Sequence, residues 1–354
     1  MKDIKKDPFD EYIKNLPPTR RELGQAWSTA IGLQDVDGLK PSEYLYETAK
    51  KSIDGEISVD EAGDLINSYY ESKDGRTEVE ARTEEADKVS ARIAKILSEK
   101  AFTFSPTQYL AIHKELFMGI FSHAGKIRDY NITKKEWVLD GDTVSYGGAL
   151  NLRETLDYDF SQEREFRYNG LTMDETIHHL AVFISRLWQI HVFGEGNTRT
   201  TAVFFIKYLR MLGFDAENDL FAENSWYFRN ALVRANYNNI KEGVYETTEY
   251  LEKFLRNLLL DEHHELHNRE MHISGKFVLG HDDPINDPIK LDDREKQIVE
   301  LLREEADLTR KEMAERLECS DSTIKRTLQS MVEKGVIKRI GSNKKGEWII
   351  LEGK

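Results

Sequence analysis

Apolar residues recur at helical spacing through most of the chain. In Leu171–Ile190, the positions Ile177, Leu180, Ala181, Ile184, Leu187 and Trp188 share one helix face. Thr172 with Glu175 is a capping box that predicts where this helix starts. The helix delivers His191 at its C-terminal end, and Gly194 and Gly196 break it. A second helix is predicted from near Asn197 to Leu212, with Gly213 as its stop. It is apolar on most faces, which predicts a central position. Earlier in the chain, Ser58 with Glu61 is another capping box, between interruptions at Gly38 and Asp54-Gly55. Residues 131–146 have a different pattern. The strand formers Ile132, Trp137, Val138, Leu139 and Val144 flank Asp140-Gly141, which predicts a β-hairpin. From about Asp292 a first helix around Ile298–Leu302, a helix at Arg310–Leu317, a turn at Glu318–Asp321, a further helix at Ser322–Lys334 and two strands follow, in the order of a winged helix-turn-helix. The fold class is mainly α, with a hairpin flap and a C-terminal winged helix.

Composition narrows the picture. A chain of 354 residues has room for two or three domains. Its net charge of -14 argues against nucleic-acid binding over the whole surface, though not over a local patch. Cys319 is the sole cysteine, so no intrachain disulfide forms. No apolar run is long enough to span a bilayer and the N-terminus lacks a signal core, so a cytoplasmic protein without a membrane partner is expected. Polar or breaker-rich stretches at 71–78 and 275–288 divide the chain into a helical N-terminal region (1–75), a main helical domain (76–274), a linker (275–290) and the winged helix (291–354). His263, His264, His267 and His272 match no metal motif and read as a solvated helix face or end.

The densest chemistry lies in His191-Val-Phe-Gly-Glu195-Gly196-Asn197-Thr198-Arg199. Backbone amides at a helix start lack intrahelical partners and lie at the positive end of the dipole, so they suit phosphate. Arg199 suits phosphate oxygens. Glu195 beside them suits Mg²⁺ held by one carboxylate plus substrate oxygens. His191 titrates near neutral pH and is the candidate general base.

This string resembles the Fic signature, His-x-Phe-x-(Asp/Glu)-Gly-Asn-x-Arg, and the resemblance runs from about Thr83 to His272. Ala124–Arg128 is similar to the family segment before its target-docking flap, and Phe228–Asn236 to the stretch that closes over adenine. The resemblance implies a Fic-type helical core and transfer of AMP from ATP to a Ser, Thr or Tyr hydroxyl of a protein, the chain itself included. It implies that His191 deprotonates the hydroxyl and that Glu195 holds Mg²⁺. Gly194, Gly196, Asn197 and Thr198 would line the phosphates, Arg199 would bind the β-phosphate, and Phe228 and Asn236 would touch adenine. Two positions depart from the pattern. Thr198 replaces a common glycine, and Ala202 replaces a second arginine that reaches the γ-phosphate, so a nucleotide other than ATP stays open. The target is expected to add as a strand to the 131–147 flap.

The N-terminal stretch Val36–Ser42, followed by Gly55–Ser58, resembles the small VbhA-type antitoxin that inhibits Fic proteins. In that family an inhibitory glutamate, with Ser or Thr four residues before it, pairs with the second motif arginine. The matching positions here are Asp37, Leu33 and Ala202, so acid, cap and partner all differ. The expectation is a weakened or rebuilt brake, with Asp37 facing Ala202.

In the C-terminal module Ser322, Thr323, Lys325 and Arg326 lie where a recognition helix meets the major groove. Lys338, Arg339, Lys344 and Lys345 are placed to reach phosphates. Basic residues outnumber acidic ones between Arg310 and Lys345, an electrostatic footprint for DNA. A rival reading follows: a DNA-binding regulator whose Fic-like domain senses nucleotide without turnover. The sequence leaves a homo-oligomer open.

Overall fold

The computed structural model describes residues 16–72, 77–216, 220–274, 293–305, 308–317, 319–333, 337–342 and 345–350. The chain forms two compact units that divide between Met271 and His272. The expected linker at 275–290 lies outside the described residues.

The first unit is helical. It comprises α1 (Pro18–Gly32), a 3-10 turn (Leu33–Asp37), α2 (Glu43–Ile53), α3 (Val59–Glu71), α4 (Glu78–Ser98), α5 (Pro106–Phe117), α6 (Leu152–Glu165), α7 (Met173–Ile190), α8 (Asn197–Met211), α9 (Leu220–Glu223), α10 (Ser225–Arg234) and α11 (Glu249–Leu260). The capping boxes at Ser58/Glu61 and Thr172/Glu175 form as expected, and Thr77/Glu80 adds a third at the start of α4. Each cap satisfies orphan amides and contributes about 1 kcal/mol.

The N-terminal helices pack onto the main helical body. Helix α1 runs against α4, and the buried Asp87 of α4 accepts from Ser42 N (2.9 Å) and from Tyr70 Oη (2.6 Å). One carboxylate thereby ties α3 and the start of α2 to α4. Helix α8 is central: every residue from Asn197 to Leu209 is buried. Its Phe204 and Tyr208 join Phe104, Phe160 and Phe183 in one aromatic cluster. Full burial of such a side chain contributes roughly 1.5–3 kcal/mol. At the other end of α8, Lys207 donates to the carbonyls of Ile96 and Glu99, and Arg210 to Leu97 (2.7 Å). These bonds cap the last turn of α4.

The expected β-hairpin at 131–146 is corrected. No strand forms there among the described residues. The chain makes a 3-10 turn at Trp137–Leu139, followed by left-handed Asp140 and Gly141. The carbonyl of Glu136 accepts from both Leu139 N (3.1 Å) and Gly141 N (3.0 Å), which curls the backbone where a ladder would need it straight. Val138, Leu139 and Val144 are buried, so strand formers serve packing rather than pairing.

The second unit holds α12 (Asp293–Glu304), α13 (Arg310–Arg316), α14 (Asp321–Glu333), β1 (Ile337–Ser342) and β2 (Lys345–Ile350). The strands are antiparallel, from Ile337 opposite Ile350 to Ser342 opposite Lys345. Ile298, Leu302, Met313, Ile324, Leu328, Met331, Ile337 and Trp348 form their shared core. Thr309 and Glu312 complete a capping box at the start of α13. This is the winged-helix order read from the sequence.

Candidate functional site

Helix α7 ends at His191, which adopts a left-handed conformation (φ 52°, ψ 55°). Such a backbone is uncommon for a residue with a Cβ and needs support from its surroundings. Arg128 provides it. Its guanidinium donates to the carbonyls of His191 (2.7 Å), Tyr130 (2.5 Å) and Gly147 (2.6 Å), while its own N–H donates to Val192 O (2.9 Å).

The His191 ring is buried between Tyr146, at 4.3 Å between centroids, and Trp188, at 5.3 Å edge to face. Its Nδ1 lies 3.3 Å from Trp188 O. A carbonyl only accepts, so this contact puts the proton on Nδ1 and leaves a lone pair on Nε2. Nε2 is buried and has no hydrogen-bond partner. Burial is the main cause that holds this imidazole well below its ordinary pKa, and the charges of Lys134, Arg128 and Arg229 push the same way. The ring is neutral at neutral pH, with an acceptor atom aimed at no protein group.

The second glycine of the junction is required sterically. A Cβ at Gly196 would lie 2.4 Å from the buried Phe117 ring, whereas one at Gly194 would meet Tyr130 Oη at 2.5 Å, the end of an exposed side chain that can shift. Gly196 also has φ 73° as the residue before α8. His113 braces the turn from below. Its Nδ1 accepts from Gly125 N (2.8 Å), so its Nε2 carries the proton toward Glu195 O (3.0 Å). Burial pulls this histidine down to about 4, which keeps that tautomer at neutral pH.

The other expected site residues have separate duties. The amide of Asn197 closes on Phe193, accepting from its N–H (3.1 Å) and donating to its carbonyl (2.8 Å), so the side chain braces the turn. Thr198 Oγ1 accepts from Trp188 Nε1 (3.0 Å), which leaves the hydroxyl proton for a second partner. The Glu195 carboxylate is about half exposed and pairs with Lys134 Nζ at 3.0 Å. Among the described residues no group of three or more His, Cys, Asp or Glu side chains could hold a metal. Glu195 therefore offers a divalent cation one carboxylate, a weak site by itself that substrate oxygens would complete, the usual habit of Mg²⁺. Phe228 is fully buried against Phe221 and Phe254. Asn236 is buried and donates to Ser185 O and Leu232 O. Both hold α10 in place, and neither side chain is presented to solvent.

Arg199 is the largest surprise. Its guanidinium is almost fully buried and faces three acceptors. Nε lies 2.8 Å from Asp37 Oδ2, one terminal nitrogen donates to Glu85 Oε1 (2.6 Å), and the other donates to Gln34 Oε1 (3.0 Å). The Asp37 contact is an ion pair without an aligned hydrogen bond, because both atoms lack a directed partner. The ring of Phe117 covers the guanidinium at 4.8 Å. Asp37 therefore faces Arg199, which corrects the expectation that it faces Ala202. The 3-10 turn sets this position, and Gly38 (φ 63°) ends it.

Sequence reading missed Glu85, Gln34, His113, Lys134 and Phe117. Gln34 and His113 are polar residues inside otherwise apolar helical patterns, and that is the signal each carried. Glu85 adjoins the buried Ala86 and Asp87 on α4, but it looks like any surface glutamate in the sequence.

In the second unit Ser322, Lys325 and Arg326 are exposed on α14, and Thr323 is half-buried. Ser320 Oγ caps this helix by accepting from Thr323 N (3.2 Å). Arg339 lies over the Trp348 ring at 5.2 Å. Lys344 and the side chains of Lys338 and Lys345 lie outside the described residues.

The chain carries a Fic/DOC family domain, matched over residues 103–209, and a winged helix-turn-helix of the DNA-binding type, matched over residues 291–338. Neither match reaches residues 1–102, where the antitoxin-like stretch lies. Solved structures that are similar include two Fic proteins. The N-terminal FIC domain of the Bep8 protein, a VirB-translocated effector of Bartonella sp. 1-1C, is 17% identical with a TM-score of 0.41, over 52% of this chain and 88% of that one. A Fic family protein from Desulfovibrio desulfuricans G20 is 12% identical with a TM-score of 0.38, over 96% of this chain and 90% of that one. No curated protein matches the chain. Among the described residues no helix is long and apolar enough to cross a membrane.

Proposed function

We propose that the chain is a protein adenylyltransferase, moving AMP from Mg-ATP to a Ser, Thr or Tyr hydroxyl of a target protein or of itself. The observation that carries this reading is the buried, unpartnered Nε2 of a neutral His191 beside a glycine-bent helix start. His191 Nε2 takes the proton of the incoming hydroxyl, and Trp188 O holds the Nδ1 proton while the imidazolium forms. The hydroxyl oxygen then bonds to the α-phosphorus, and pyrophosphate leaves with the electron pair of the broken bond. Mg²⁺, when bound, neutralises charge on the phosphate oxygens, and Glu195 is the residue that would hold it. The amides after Gly196 offer the phosphates unpaired donors.

Regulation by the N-terminal segment belongs to the same reading. Arg199 cannot bind a β-phosphate while Asp37 and Glu85 occupy it. Docking of the target on residues 131–147 stays part of the proposal. Its support is the position of this segment beside Glu195, through Lys134.

A second reading, a DNA-binding regulator that senses nucleotide without turnover, is favoured by the occupied Arg199 and by the winged-helix match. Intact mass after incubation with Mg-ATP separates the two. Adenylyl transfer adds one AMP, and His191→Ala lowers the rate by about a hundredfold or more. Bound ATP without any mass gain, on the chain or on lysate proteins, favours the sensor.

A further inference from the structure

Among the described residues, four cations lie close to His191 and the turn that follows it, and three of them are committed to buried partners. Arg128 is spent on main-chain carbonyls. Arg229 pairs with the buried Glu136 at 2.8 Å. Arg199 is held by Asp37, Glu85 and Gln34. The position that would supply a second motif arginine is the buried Ala202. Lys134 differs from all of these. Its ammonium rests on the half-exposed carboxylate of Glu195, the side chain proposed to hold a divalent cation. Its backbone is anchored, with N donating to Thr143 Oγ1 at 3.3 Å. The same ammonium is close enough to His191 to be the foremost charge acting on that ring.

A lysine and a dication compete for one carboxylate, because its single negative charge cannot neutralise both and the two cations repel. When a cation bridges Glu195 and a phosphate chain, the nearest anionic oxygens for the displaced ammonium belong to that chain. We propose, building on the adenylyltransferase reading, that Lys134 is a nucleotide phosphate ligand that occupies the cation's place on Glu195 until nucleotide arrives. Lysine suits this exchange as a compact point charge on a flexible stem. It supplies the positive charge that Ala202 lacks.

The test uses the full-length chain and two binding measurements. Calorimetry follows a non-hydrolysable ATP analogue with Mg²⁺, and electron paramagnetic resonance follows Mn²⁺ alone. For Lys134→Gln the analogue is expected to bind about tenfold more weakly, the usual loss for a charged hydrogen bond. Mn²⁺ alone is expected to bind more tightly, because its competitor is gone. Lys134→Arg should restore most of the analogue affinity. Unchanged analogue affinity in Lys134→Gln overturns the proposal, and so does Mn²⁺ affinity that stays level or falls. If the wild-type chain binds no analogue while Mn²⁺ still binds, the adenylyltransferase reading itself fails, a result distinct from a failure of Lys134 alone.

Discussion

The guanidinium of Arg128 donates to the carbonyl of His191 at 2.7 Å, and this bond fixes a left-handed histidine at the end of α7. The same guanidinium donates to the carbonyls of Tyr130, Gly147 and Ile190, and the Arg128 backbone N–H donates to Val192 O, so most of the entry to the turn hangs on one side chain. Arg128→Ala leaves the carbonyls of His191, Tyr130 and Gly147 without this partner, while the main-chain bond to Val192 O remains. We expect a destabilisation of about 2–4 kcal/mol. Arg128→Lys keeps the charge but loses the fork. It should retain most of the stability and still lose at least tenfold in kcat, with little change in KM. Equal losses in stability and activity for both variants would assign Arg128 to folding alone.

Asp37 and Glu85 both pair with Arg199, and under the proposed function they compete with a phosphate for it. Removing both carboxylates in an Asp37→Ala, Glu85→Gln double variant should raise self-modification by about tenfold or more, since two charged contacts are released. Asp37→Ala alone should give part of that gain. A rate of modification unaffected by the double change removes the brake. Loss of thermal stability without a gain in rate points instead to a structural ion-pair cluster.

Acid should loosen the first unit. His113 titrates at about 4 in the folded chain and near 6.5 when unfolded, and His191 is lowered as well. Between these values the unfolded state binds more protons, so stability rises with pH. The contribution is fully present above about pH 6.5 and is lost as pH falls toward 4. For His113 the gap corresponds to roughly 3 kcal/mol. Thermal midpoints measured from pH 8 to pH 5 should fall steadily below about pH 6.5. His113→Gln, which can still bridge Gly125 and Glu195, should flatten that fall.

The winged helix presents Lys325 and Arg326 on an exposed face of α14. If this face meets DNA, binding should weaken steeply with salt. Lys325→Ala with Arg326→Ala should reduce duplex affinity by more than tenfold and lower the salt slope. A gel shift that ignores both substitutions would move the basic face into a protein-docking role.

Much of the site was legible in sequence because its order is local. A capping box, a helical stripe, two glycines and a second helix bring His191, Glu195 and Arg199 together within nine residues, whatever the rest of the chain does. The winged helix was legible for the same reason, since its helices are closed by Thr309 and Glu312 and by short turns. The flap was misread because strand propensity measures fit to a half-buried surface, and the turn that carries Val138 and Leu139 found that surface against α10. The identity of the guanidinium's partners was beyond reach. Gln34, Asp37 and Glu85 lie more than a hundred residues from Arg199, and α1, the 3-10 turn and α4 bring them there by packing. The sequence by itself determined which groups could take a proton and receive a phosphate. Tertiary structure decided which of them is free to act, because a buried charge takes whichever opposite charge the fold brings nearest.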